Sequence, residues 1–269
     1  MIGHRTGFTA LTSLRALSFA LTLFGVLSCA KHENLSKNCA ISADQKGSIM
    51  GRVAEFPVQV TADDQFNSQE RESISATIRE WNEAGKSFGV EQVFQLRFGA
   101  IPSGFRSMDP HQCSSDLGGE HDFYVVREQN QSHWTSIGFV DTTPGATIRC
   151  YGSSENDLQR QIIYMNPSLL NAGQFDQAFS HEFGHALGLD HSCNMKDGDA
   201  SYVACKALKG GTDHPYFQAV MYPILKNTAS MSISSRIWRA SVSSIQERIS
   251  SVLQTNDKVR GECVIGPTQ

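Results

Sequence analysis

The chain has 269 residues, of which 40% are hydrophobic and 19% charged, and its formal net charge is −4. That mild acid excess argues against a nucleic-acid partner, and the length suits one domain with embellishments once an export segment is removed. No internal repeat, low-complexity tract or Pro/Gly-rich linker divides the sequence.

The amino terminus carries Arg5 and Arg15, then an apolar stretch from Ala16 to Leu27 that is too short for a comfortable membrane span. Residues 1–28 therefore read as an export signal. Val26-Leu27-Ser28-Cys29 is similar to a bacterial lipobox, which implies cleavage before Cys29, acylation of that cysteine and a lipid anchor in the cell envelope. Plain secretion is the alternative, with Ser28 and Ala30 as a small-x-small cleavage site. Residues 29–50 are polar and read as a tether. Beyond Cys29, the remaining cysteines are Cys39, Cys113, Cys150, Cys193, Cys205 and Cys263. An even set in an exported chain suggests three disulfides. Proximity favours Cys193 with Cys205, and Cys113 with Cys150 and Cys39 with Cys263 is one pairing of the rest. No C-x-x-C pair speaks for metal binding by these thiols.

From residue 51 to 269 a single domain is expected. Phe56 to Val60 alternates like a strand. A helix is predicted over Ser68 to Ala84, with Asn67 and Glu70 in capping-box positions, Gly85 as its stop, and Ile74, Ile78 and Trp81 as its buried stripe. Phe94, Leu96 and Phe98 alternate with polar residues, and Asp122 to Val126 has the composition of a buried strand. Ile137 to Val140, Thr147 to Tyr151 and Gln161 to Met165 are further strand candidates, separated by Pro144-Gly145 and a turn region at 152–157. A second helix is expected from Gln174 or Phe175. A last one is expected over Ser234 to Leu253, where Trp238, Val242, Ile245, Ile249 and Val252 recur at helical spacing.

The second helix carries the chemistry. Residues 181–191 read His-Glu-Phe-Gly-His-Ala-Leu-Gly-Leu-Asp-His. His181 and His185, four apart, share one helix face, so both can reach a single cation. Gly188 lets the chain leave through a positive-φ conformation, which returns His191 as a third ligand. Three neutral imidazoles suit one catalytic Zn2+, and Glu182 beside the first ligand is placed to act as general base for a water in the open fourth position.

The extended run H-E-x-x-H-x-x-G-x-x-H resembles that of the metzincin metallopeptidases, and Ala219-Val220-Met221-Tyr222-Pro223 resembles the Met-turn of their matrixin branch, as does Ser192 after the third histidine. The resemblance, spanning about residues 51–253, implies an α+β fold. A twisted, mostly parallel sheet of about five strands would pack on three helices, with the zinc helix followed by a turn at Met221. It also implies a zinc endopeptidase acting on protein or peptide, in which an edge strand pairs with extended substrate. Ile137 to Val140 is the candidate edge, and Pro223, Ile224 and Leu225 would line the pocket beside the scissile bond. The chain departs from the pattern in three ways: a Cys-containing insert at 192–218 separates His191 from Met221, no Pro-Arg-Cys-Gly switch precedes the domain, and the usual Pro-x-Tyr reads Pro223-Ile224-Leu225.

Two other functions share these ligands: a zinc-scaffold binding or adhesion lipoprotein without turnover, and a hydrolase of cell-wall peptides. Glu182 favours catalysis over the scaffold, which has no use for a base. His111, His121, His133 and His214 read as surface or loop residues, because their spacing does not make a second zinc site. Asp197-Gly198-Asp199 has carboxylates that could ligate Ca2+ but lacks the full ligand series, so it reads as a solvated acidic turn. Tyr222 is expected to pack beneath the site, and the protein is expected to be a monomer.

Overall fold

The computed structural model describes residues 56–106, 113, 123–136, 138–140, 142–151, 158–193, 204–208, 214–223 and 255–265. Five strands, β1 (Val58–Asp63), β2 (Phe94–Gly99), β3 (Phe123–Arg127), β4 (Gly145–Tyr151) and β5 (Leu158–Met165), form one sheet in the order β2-β1-β3-β5-β4. The first four in that order run parallel, and β4 pairs antiparallel with β5 at one edge. The helices are α1 (Ser68–Ser87), α2 (Ser103–Arg106), α3 (Gln131–Ser136), α4 (Ala172–Leu187), α5 (Pro215–Gln218) and α6 (Thr255–Ile265).

The central strands bury both faces, which is why they read as near-continuous apolar runs. Phe123, Val125, Ile163 and Met165 face one core, and Tyr124, Val126, Ile162 and Tyr164 face the other. The first core lies beneath α1 and α4. Ile74, Ile78 and Trp81 of α1 are buried there, as their spacing predicts, and Phe175, Phe179 and Phe183 of α4 recur every four residues along the sheet. Phe183 stacks on Phe123 at 5.4 Å and meets Phe94 edge-on at 4.7 Å. The hydroxyls of Thr77 and Ser180, 2.9 Å apart, join α1 to α4 across an otherwise apolar contact.

The expected capping box is present: Glu70 N–H donates to Asn67 Oδ1 at 2.9 Å and Asn67 N–H to Glu70 Oε2 at 2.8 Å. Gly85 does not end the helix, which continues to Ser87, with Gly89 taking the positive φ of 87°. Gly85 is instead a packing glycine, because a Cβ there would stand 2.2 Å from Val93 Cγ2. The first strand begins at Val58 rather than Phe56, after a cis Phe56-Pro57 bond.

Gly138, Phe139 and Val140 are loop residues, not a strand, so the candidate edge Ile137 to Val140 is not formed by its described residues, and Ile137 itself lies outside them. Gly138 turns there at φ 89°, and Phe139 folds back to bond Trp134 O through its N–H, capping the short helix α3 that sequence reading missed. The edge beside β5 is β4, longer by two residues than the predicted Thr147 to Tyr151. The helix expected over Ser234 to Leu253 lies outside the described residues. Among the described residues no helix is long and apolar enough to cross a membrane.

Candidate metal centre

Helix α4 starts earlier than Gln174. Asn171 is its N-cap, accepting from Gln174 N–H at 3.0 Å, while Asn171 N–H donates to Gln174 Oε1 at 3.1 Å. His181 and His185 project from one face a turn apart. The helix stops at Leu187 because Gly188 adopts φ 96°, its N–H reaching the carbonyls of Gly184 and His185. The reversed chain brings His191 back beside the first two histidines, its ring 4.8 Å from that of His185 and 5.2 Å from that of His181.

The ligand atoms converge. Nε2 of His185 lies 3.1 Å from Nε2 of His181 and 3.3 Å from Nε2 of His191. Nitrogens held tetrahedrally at about 2.0–2.1 Å from zinc stand roughly 3.3 Å apart. The opposite ring nitrogens decide what Nε2 presents. His181 Nδ1 is 2.8 Å from Val220 O and His185 Nδ1 is 2.9 Å from Leu189 O. A carbonyl only accepts, so each Nδ1 carries the proton and each Nε2 turns a lone pair toward the shared point. Facing lone pairs repel unless a cation lies between them, and this donor set therefore fits a zinc ion. Among the described residues, these three histidines are the one cluster of metal-ligand type.

The surroundings keep the rings in the form a metal needs. Burial, then the charges of His181 and His191, hold the pKa of His185 well below its ordinary value. Burial first and His181 second lower that of His191 to about 4, against the pull of Asp190. Glu182 moves the other way: burial raises its pKa, opposed by His181 and by a hydrogen bond from Thr147.

A second layer fixes the carbonyl behind His181. Residues 219–222 form a turn closed by Tyr222 N–H to Ala219 O at 3.2 Å. Met221 in it is fully buried and packs under α4 at Gly184. Ser192 ties the third-histidine loop to this turn: its N–H donates to Met221 O at 2.8 Å and its hydroxyl to Tyr216 O at 2.7 Å. From the far end of the chain, α6 reaches both segments. Asp257, fully buried, accepts from Val220 N–H at 2.9 Å and Met221 N–H at 3.3 Å. Arg260 donates through Nη2 to Asp190 O at 2.8 Å and His191 O at 3.4 Å. Helix α6 is seated by Gly261, where a Cβ would come within 2.5 Å of the Trp81 ring.

The structure brings His181, Glu182, His185, His191 and Met221 together. Pro223 is half-buried at the end of the turn, Ile224 and Leu225 lie outside the described residues, and the Tyr222 ring rests on Phe217 at 4.5 Å. Disulfides join Cys113 to Cys150 and Cys193 to Cys205, and Cys263 is also disulfide-bonded, while Cys29 and Cys39 lie outside the described residues. His133 stands apart from the metal cluster, its Nδ1 2.9 Å from Glu128, and His214 caps α5 by accepting from Tyr216 N–H at 3.1 Å. His111, His121 and Asp197 to Asp199 are outside the described residues. Sequence reasoning missed Thr147, Asp257 and Arg260. The i, i+3 spacing of Asp257 and Arg260 was the only local signal, and it is too common to point to a site.

No significant match to this chain was found among curated proteins or among solved structures. The sequence pattern of Metallo-peptidase family M12 matches residues 60–234. That span runs from β1 through the histidine run to the turn at Met221, with the ligand geometry a metallopeptidase requires. It covers more than half of the chain, and the protein belongs to Metallo-peptidase family M12.

Proposed function

We propose that this protein is an exported zinc endopeptidase with a matrixin-like site, in which Glu182 is the general base. The observation that carries the reading is the convergence of three Nε2 atoms beside a carboxylate held under the sheet edge. His181, His185 and His191 would hold the metal. A zinc ion bound there supplies a Lewis acid that lowers the pKa of water to about 7 and polarises a carbonyl. Glu182 takes the proton of the attacking water and passes it to the leaving amine. Its burial suits that task, since a carboxylate with a raised pKa is a better proton acceptor near neutral pH. No serine or cysteine nucleophile is needed, and Cys193 is held in a disulfide.

The likeness to matrixins rests on Ser192, which bonds the turn at Met221, and on Met221 itself beneath α4. Strand β4 takes over the role assigned to Ile137 to Val140: it is the sheet edge beside α4, and extended substrate would pair along it. Acylation of Cys29 would hold the enzyme at the envelope. Exchange of Cys29 for Ser should then release it from membranes, and unchanged fractionation would favour plain secretion.

The test is metal analysis with an unbiased peptide library. The purified protein should hold one tightly bound zinc and cleave peptides. His185→Ala should lose the metal, and Glu182→Ala should keep it while losing about 10²- to 10⁴-fold in rate. Full zinc retention by His185→Ala, or wild-type turnover by Glu182→Ala, would overturn the assignment.

A further inference from the structure

The edge strand β4 carries a glycine and a hydroxyl on one face, two residues apart, and both meet the same side chain. The Thr147 hydroxyl lies 2.8 Å from Glu182 O and 2.8 Å from Glu182 Oε2. Its single proton is therefore shared between the helix backbone and the carboxylate of one residue. At Gly145 a Cβ would stand 2.8 Å from Glu182 Cγ, 3.4 Å from its Cδ and 3.1 Å from Met165 Sδ. The absent side chain leaves the volume that the stem of Glu182 fills. The backbone pairing of Gly145 with Met165 and Thr147 with Ile163 fixes both positions against the sheet.

We infer that Gly145 and Thr147 form a cradle that sets the rotamer of Glu182, making Thr147 a positioning residue for the general base. This rests on Glu182 being that base. A glutamate has several rotamers and an exposed one loses little by swinging away. Here Gly145 permits one path for the stem, and Thr147 anchors one oxygen at its end. The other oxygen, Oε1, is not engaged by Thr147 and is the one assigned to the proton of the reacting water. Strand β4 thus has two roles at once, as the edge along which substrate would pair and as the support of the proton carrier. A misplacement of about 1 Å at such a group costs on the order of 100-fold in rate.

The cradle is tested in the full chain loaded with zinc, using casein as a general substrate. Thr147→Val, close to isosteric, should bind zinc as the wild type does and melt within a few degrees of it. Its kcat should fall about 10- to 100-fold with KM changed less than about twofold. Thr147→Ser should restore kcat to within about threefold. In the Glu182→Ala background, Thr147→Val should have no further effect, because a residue acting through Glu182 has nothing left to position. An unchanged kcat for Thr147→Val, or a loss of equal size without Glu182, would overturn the inference. A crystal structure of zinc-loaded Thr147→Val gives a reading independent of turnover: a displaced Glu182 carboxylate supports the cradle, and an unmoved one refutes it. If the wild type cleaves nothing, or Glu182→Ala cleaves as well as the wild type, the peptidase reading fails instead, and the crystallographic comparison still decides the cradle.

Discussion

The sulfur of Met221 occupies the place a side chain on Gly184 would need, since a Cβ built there would stand 2.3 Å from Sδ and 3.2 Å from Cε. Met221 is buried, so its sulfur has no solvent to retreat into. The histidine helix and the turn that supports His181 through Val220 O are thereby locked at van der Waals distance.

Gly184→Ala sets two effects against each other. Alanine favours a helix interior by about 1 kcal/mol over glycine, whereas overpacking a closed core costs about 1–3 kcal/mol. The clash should win: the variant is expected to melt several degrees lower and to bind zinc more weakly. Thermal unfolding with metal analysis checks this, and a rise in Tm would show that Met221 can move aside.

Asp257→Ala should damage the metal site without touching a ligand. It leaves the amides of Val220 and Met221 buried with their acceptor gone, at about 1–3 kcal/mol for each unsatisfied group. The carbonyl of Val220 that orients His181 is carried by the same turn. Loss of such outer support weakens metal binding about 10- to 100-fold, measurable by chelator competition. Arg260→Met should act in the same direction through His191. Wild-type zinc affinity in both variants would mean that α6 is only a lid on the core.

Acid should destabilise the metal-free protein in a definite window. The folded-state pKa of His191 is about 4 against an ordinary value of 6.5, and that of His185 is also depressed. Between those limits the unfolded chain binds more protons than the folded one, so stability falls as pH drops from about 6.5 toward 4. Melting of chelator-treated protein from pH 7.5 to 4.5 should show the decline, and His191→Gln should flatten it. An equal slope in that variant would place the acid sensitivity elsewhere.

Cleavage is expected before Leu, Ile, Met or Phe. The proposed pocket carries the apolar Ile224 and Leu225 after Pro223, and burying a methylene is worth about 0.8 kcal/mol while an unpaired charge is heavily penalised. A library profile led by Asp, Glu, Lys or Arg at that position would count against this pocket.

The histidine run was legible because its logic is local. A helical turn brings His181 and His185 together, and Gly188, found at φ 96°, can reverse the chain toward His191 without distant help. The capping box at Asn67 and the stripe of Ile74, Ile78 and Trp81 were readable for the same reason, as were the apolar runs of β3 and β5. The misassigned edge at Ile137 to Val140 shows the limit. A short apolar-rich run looks alike in a strand and in a loop that rests Phe139 on Trp134, and only the pairing of β4 with β5 shows which segment forms the edge. What surrounds the ligands was set by tertiary structure alone. Gly145 and Thr147 reach Glu182 across 35 or more positions, and Asp257 lies 37 residues from Val220. Sequence periodicity reports which side of an element is buried. It carries no information on which distant element will supply the hydrogen bond, because that follows from sheet order and helix packing.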